Sequence, residues 1–168
     1  MHSDEASFRQ DSTLHATWAR RGVQPEVPVT GQRRSVKVFG CVEIHSARFL
    51  YRRDSVFNAE TYLDFLEQVA RQYYPRPVFW VQDNASYHKD AHVWDWFAAN
   101  RSWWTVFNLP PYSPEFNATE RLWHHTRITG THNRYFADAG ELNATLTRVF
   151  RSMQRRPDQI RGYLQPFT

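Results

Sequence analysis

Apolar and polar residues alternate through Val36-Lys37-Val38-Phe39-Gly40-Cys41-Val42-Glu43-Ile44 closely enough to predict a strand. Arg48-Phe49-Leu50-Tyr51, after a His45-Ser46-Ala47 turn, reads as its hairpin partner. The period then lengthens. Tyr62, Phe65, Leu66, Val69, Ala70 and Tyr73 recur at the spacing of one helical face, with Asn58 placed to cap the helix and Pro75 and Pro77 placed to stop it. Val78 to Gln82 is a short apolar run without strict alternation, which predicts a buried, central strand. Lys89 to Asn100 predicts a second helix with Ala91, Val93, Trp94, Phe97 and Ala98 available for packing, and Thr105 to Asn108 a further strand.

Strand, helix, strand in that order makes a parallel crossover, which brings the carboxyl ends of both strands to one edge of the sheet. Asp83, just past the first strand, is therefore expected beside the Pro-rich loop that follows Asn108. Ser113 is a natural N-cap for a helix with Pro114 as its first residue and Glu115 in its first turn, and Glu120, Trp123 and His124 would share a face. Pro110, Pro111 and Tyr112 read as shaping the loop before that helix. A last helix over Asp138 to Met153 has Leu142, Leu146, Val149, Phe150 and Met153 as its apolar stripe and Arg148, Arg151, Arg155 and Arg156 on its polar side. Those arginines suit a phosphate backbone or, equally, a solvated face. Residues 10–35 are polar and turn-rich, with Leu14 to Trp18 as the one stretch that reads as a strand.

At 168 residues the chain is expected to form one domain with a core that needs no disulfide. Its single cysteine, Cys41, lies in an apolar run and reads as a core residue of a reducing compartment. No apolar stretch approaches a membrane span, and Met1-His2-Ser3-Asp4 lacks the features of a signal peptide, so a cytoplasmic location without membrane association is expected. The net charge of +4 and isoelectric point near 9.5 fit a polyanionic partner, yet a balance of this size also occurs in proteins that bind no nucleic acid.

The candidate chemistry lies in carboxylates. Asp83 at a strand end, Glu120 inside a helix and Asp4 far upstream could together cage metal if the fold brings them alongside one another. Hard oxygen ligands suit Mg²⁺ or Mn²⁺, and two such ions can activate an attacking oxygen and stabilise a leaving one in phosphodiester chemistry. Taken singly, Asp83 reads as a turn or cap residue and Glu120 as an ordinary helix-surface residue. Asn84 and His88 read as a loop-stabilising amide and a partly buried histidine; the functional alternatives are orientation of Asp83 or of a metal-bound water for Asn84, and contact with a phosphate or a metal-bound water for His88. Trp123 reads as a core residue.

Taken together, Ser3-Asp4-Glu5, Val38-Phe39-Gly40, Asp83-Asn84-Ala85-Ser86-Tyr87-His88 and Leu109-Pro110-Pro111-Tyr112-Ser113-Pro114 through Asn117, Glu120 and Trp123 resemble the catalytic domain of DDE superfamily transposases. The match is to the mariner-related insertion-sequence group called the IS-six-thirty family, and it spans most of the chain. The resemblance implies an α/β, RNase H-like fold, a five-stranded mixed sheet flanked by helices, with Asp4, Asp83 and Glu120 as the catalytic and metal-binding triad. It implies two Mg²⁺ or Mn²⁺ ions per site and double-stranded DNA, both transposon ends and target, as partner. It further implies cleavage by activated water, attack of the freed 3′-hydroxyl on target DNA at a TA step, and a homodimer in a transposon-end complex.

Two departures from that pattern shape the expectation. Only Met1-His2-Ser3 precedes Asp4 where the family runs an apolar strand into its first aspartate, so a shortened strand and a loosely held Asp4 are expected, and residues 1–168 are expected to form the catalytic domain without the family's N-terminal helix-turn-helix region. Ala118 and Thr119 stand where proline and isoleucine commonly precede the glutamate, a change that favours helix. The alternative function is a truncated, catalytically impaired module of the same fold that only binds DNA or transposase subunits.

Overall fold

His2–Arg9 forms strand β1 in the computed structural model, which describes residues 1–111 and 113–164. Strands β2 (Ser35–Glu43) and β3 (Arg48–Asp54) follow, then helix α1 (Ala59–Tyr73), strand β4 (Val78–Gln82), helix α2 (Ala91–Ala99) and strand β5 (Trp104–Asn108). Helices α3 (Ala118–Thr126), α4 (Ala139–Arg155) and α5 (Pro157–Arg161) complete the order. The sheet runs β3-β2-β1-β4-β5, antiparallel from β3 to β1 and parallel from β1 to β5. This is the expected five-stranded mixed sheet.

Strand alternation divides the core into two layers. Ala6, Phe8, Val36, Val38, Val42 and Phe49 face α3 and α4, where Leu122, Trp123, Leu142, Leu146, Phe150 and Met153 meet them. Phe39, Cys41, Leu50, Val78, Trp80 and Trp104 face the other way, onto Tyr62, Phe65, Leu66 and Val69 of α1 and Val93 and Phe97 of α2. Asn58 caps α1 through a reciprocal pair of bonds with Thr61, and Asp138 caps α4 through the Glu141 amide. No helix among the described residues is long and apolar enough to cross a membrane.

The structure departs from the sequence reading in four places. Leu14 to Trp18 is not a strand: residues 11–34 contain no regular element, and the segment from Leu14 to Trp18 is exposed throughout, with no face buried against the core. Strand β4 lies inside the sheet but is covered on one face only, leaving Phe79 62% exposed. A 3₁₀ turn at Ser86–Lys89 precedes α2, whose cap is Asp90, and only Val93 and Phe97 of its expected stripe are buried. Finally, Pro114–Phe116 is a separate 3₁₀ turn with no side-chain cap from Ser113, and α3 starts four residues later than a Ser113 cap would place it, because Asn117 supplies the capping oxygen. Tyr112 lies outside the described residues.

Candidate metal centre

Three elements deliver three carboxylates to one cleft. Asp4 projects from β1, Asp83 follows the last residue of β4, and Glu120 sits in the first turn of α3. With Asn84, Lys89, Pro110, Pro111 and Asn117 they line an open cavity of about 540 Å³. The parallel pairing of β4 with β5 brings in the Pro-rich loop as its topology requires: the Leu109 amide donates to the Gln82 carbonyl at 2.7 Å, and Asn84 Nδ2 donates to the Leu109 carbonyl at 2.6 Å. Asn84 is thus a loop-stabilising amide on the rim of the cleft.

Glu120 is fixed relative to Asp4 because α3 is bonded to three consecutive residues of β1. Thr119 Oγ1 donates to the His2 carbonyl at 2.8 Å, Asn117 Nδ2 to the Ser3 carbonyl at 3.0 Å, and Trp123 Nε1 to Asp4 Oδ2 at 2.9 Å. Asn117 also accepts from the Thr119 amide, so one buried side chain caps the helix and ties it to the sheet. Burial lowers the His2 imidazole to about 4, which leaves it neutral and able to accept from the Ala118 amide at 3.4 Å. The expectation of a loosely held Asp4 is not met in this geometry: β1 continues to Arg9 and pairs with β2 over its whole length, and α3 supplies the remaining bonds.

Asp83 is oriented from the opposite side of the sheet. His88, buried, places Nδ1 3.1 Å from Asp83 Oδ1 and Nε2 3.0 Å from Glu5 Oε1, and the Ala85 amide donates to Asp83 Oδ1 at 3.0 Å. Burial disfavours charge on His88, but the bonds to the two carboxylates outweigh it and raise the ring to about 9. The His88 bond, more than any other contact, holds the Asp83 carboxyl below the usual carboxylate range, with the Ala85 amide adding to it. Beneath this pair a buried chain runs from Trp80 Nε1 to the Tyr62 hydroxyl at 3.0 Å, from that hydroxyl to Gln82 Oε1, and from Gln82 Nε2 to Asn108 Oδ1 at 3.0 Å. It ties the end of β4 to that of β5.

Asp4 behaves differently. Burial first, and then the charges of Glu120, Glu5 and Asp83, raise its carboxyl well above the usual range. A cleft in which a buried carboxylate is disfavoured by neighbouring carboxylates is one that a cation would stabilise, and an all-oxygen donor set of Asp4, Asp83 and Glu120 fits a hard divalent ion. Glu5, Asp83 and His88 also bring ligand atoms close together. They are already joined by hydrogen bonds, and an imidazole that keeps its proton to about pH 9 has no lone pair for a metal at neutral pH, so this cluster is an ion-pair bridge.

The model of the family described as DDE superfamily endonuclease matches residues 1–143. The chain belongs to that family. A transposable element Tcb2 transposase from Caenorhabditis briggsae is 32% identical over 134 residues, which cover 73% of this chain and 48% of that protein. The DDE endonuclease domain therefore spans about half the length of this curated relative. Among solved structures, a Mos1 mariner paired-end complex with Mn superposes with a TM-score of 0.63 at 17% identity, covering 97% of this chain and 52% of the other. The catalytic domain of Mos1 mariner transposase superposes with a TM-score of 0.57 at 15% identity, covering 83% and 76%. These likenesses establish the expected RNase H-like fold for this DDE domain.

Sequence reasoning located the three carboxylates but missed the side chains that hold them. Glu5 gave no signal of its own, since it is one acid beside another on a strand whose alternation sends it to the opposite face from Asp4. Trp123 is buried as expected, but its indole nitrogen has a specific partner that no spacing rule reveals. Asn117 was a readable signal, an N-cap residue directly before a helix-favouring run.

Proposed function

We propose that this DDE endonuclease domain cleaves and joins DNA strands with divalent metal ions held by Asp4, Asp83 and Glu120. The observation that carries the reading is the convergence of these residues, from β1, the end of β4 and α3, on one open cleft. Two Mg²⁺ or Mn²⁺ ions, when bound, would supply Lewis-acid activation of the attacking oxygen and stabilisation of the leaving one. Asp4, Asp83 and Glu120 would hold the ions, with Asp83 ionised and oriented by His88. Lys89 brings a positive charge to the same cleft for the scissile strand.

In the cleavage step a water oxygen bonds to phosphorus, the bond from phosphorus to the 3′ oxygen breaks, and that oxygen leaves with a proton as a 3′-hydroxyl. In the joining step the 3′-hydroxyl is the nucleophile and one phosphodiester replaces another. The substrates are double-stranded transposon ends and target DNA, and the working assembly is a homodimer that holds two ends. We read the domain, from the residue blocks between Asp83 and Glu120, as a member of the IS-six-thirty group of mariner-related elements. The relatives named above support this reading: one is a transposase by name, and solved Mos1 structures include a paired-end complex with a transposon end and a strand transfer complex.

Incubation with supercoiled DNA and Mn²⁺, alone and with an end-recognition region supplied separately, tests the proposal. Nicking is expected from the unaltered chain and none from Asp83→Ala. Equal nicking by both proteins would refute the triad. Salt-sensitive DNA binding without any binding of divalent ions would identify the domain as a binding module instead.

A further inference from the structure

We infer that Trp123 is a positioning residue for Asp4, and that Gly40 is there to make room for it. The inference rests on Asp4 being a metal ligand, as proposed above, and adds which parts of the chain set its geometry. Trp123 is fully buried and donates its indole N–H to Asp4 Oδ2 at 2.9 Å. Three rings wedge the indole nearly edge-on: Phe8 at 6.0 Å and 75°, Phe49 at 6.0 Å and 80°, and Phe150 at 6.3 Å and 66°. A donor held in this way fixes the rotation of the carboxylate and so which oxygen remains for the cleft.

The β1–β2 register pairs Asp4 with Gly40. A Cβ built on Gly40 would lie 2.4 Å from Trp123 Cη2, 2.8 Å from Cζ2 and 3.1 Å from Phe49 Cε2, whereas ordinary contact begins at 3.4 Å. Positive-φ glycines in the chain are Gly22 and Gly31, so Gly40 is required for space and not for backbone conformation. The side chain missing from β2 is the slot the six-membered edge of the indole occupies, and that seating points its nitrogen at the carboxylate on the next strand. Neither residue needs to touch DNA.

Two substitutions separate donor from space. Trp123→Phe keeps an aromatic ring and removes the N–H, and Gly40→Ala keeps the N–H and displaces the ring. Each is expected to weaken Mn²⁺ binding to the full chain, measured by electron paramagnetic resonance without DNA, by about tenfold or more, the usual effect of losing a partner to a metal ligand. Trp104→Phe is the control. Trp104 is equally buried but packs in the other layer and its Nε1 has no hydrogen-bond partner among the described residues, so Mn²⁺ affinity should not change. A metal-independent readout is the Trp123 indole cross-peak in ¹H–¹⁵N spectra, which Asp4→Asn should shift while leaving that of Trp104 in place. Unchanged Mn²⁺ affinity in folded Trp123→Phe, or an indole cross-peak indifferent to Asp4→Asn, overturns the positioning role. Mn²⁺ binding that survives Asp83→Ala, or is absent from the unaltered chain, overturns the triad itself.

Discussion

His88 joins Asp83 to Glu5, the residue that follows Asp4 in β1, with its two ring nitrogens 3.1 Å and 3.0 Å from the two carboxylates. The imidazolium thus links the carboxyl end of β4 to the neighbouring strand on the face away from the cleft. It leaves Asp83 half-exposed toward the cleft while setting its orientation from behind.

This bridge has a pH signature in metal-free protein. The folded-state value of His88, about 9, lies above the 6.5 of an unfolded histidine, so its stabilisation is complete below pH 6.5 and is lost as pH rises toward 9. The contribution is on the order of 2–3 kcal/mol for a group buried this deeply. Urea unfolding in EDTA between pH 6 and 9.5 should show that decline, and His88→Gln should flatten it. An identical pH profile in the variant would remove His88 as the cause.

Metal should stabilise the domain because folding assembles the carboxylates. At a free Mn²⁺ concentration ten times Kd the gain is about 1.4 kcal/mol, a rise in Tm of roughly 3 to 6 °C for a chain of this size. Thermal unfolding with and without Mn²⁺ measures it. Asp83→Ala and Glu120→Ala should abolish the rise, and a rise retained in both variants would place the ion elsewhere.

Asn117 serves two ends at once, which two substitutions can separate. Asn117→Ala removes the cap of α3 and the bond to Ser3, and should cost about 2 kcal/mol in chemical denaturation. Asn117→Asp keeps an oxygen for the Thr119 amide but loses the donor to Ser3. It should therefore recover part of the stability while Mn²⁺ affinity stays weakened, since the helix carrying Glu120 is no longer tied to β1. Full recovery of affinity would show that the cap alone positions the site.

Thr119 offers a narrower test. Its hydroxyl, donated to the His2 carbonyl, belongs to a fully buried residue, and Thr119→Val preserves shape while removing that bond. A loss of about 1–2 kcal/mol in urea unfolding is expected, with no change in α3 helix content by circular dichroism. A neutral result would mean that water replaces the hydroxyl.

Four strands, the main helices and Asp83 are legible in the sequence, and the reason is local; β1 and the place of Asp4 on it enter only through the family resemblance. Asn58 and Asp138 cap helices as their types dictate, and the crossover from β4 to β5 needs only strand order to bring Asp83 beside the loop after Asn108. What stays hidden depends on register. Whether Asp4 faces Gly40 or a neighbour is settled by how β1 slides against β2, and a slip of one residue would present Glu5 to the cleft instead. The α3 boundary is a competition between Ser113 and Asn117 for the same role, which Asn117 wins because it also reaches the Ser3 carbonyl.

The join between β1 and β4 is the shortest ladder in the sheet, a single register pair of His2 with Val81 beside the bond from the Val81 amide to the Met1 carbonyl. Asp4 stands on one side of that seam and Asp83 on the other. The antiparallel half, with α3 riding on β1, and the parallel pair β4–β5 are each strongly bonded within themselves. The gap between the first two carboxylates is therefore set by side chains that cross the seam, the His88 bridge to Glu5 and the layer that Phe39, Leu50 and Trp80 share with α1, more than by ladder hydrogen bonds.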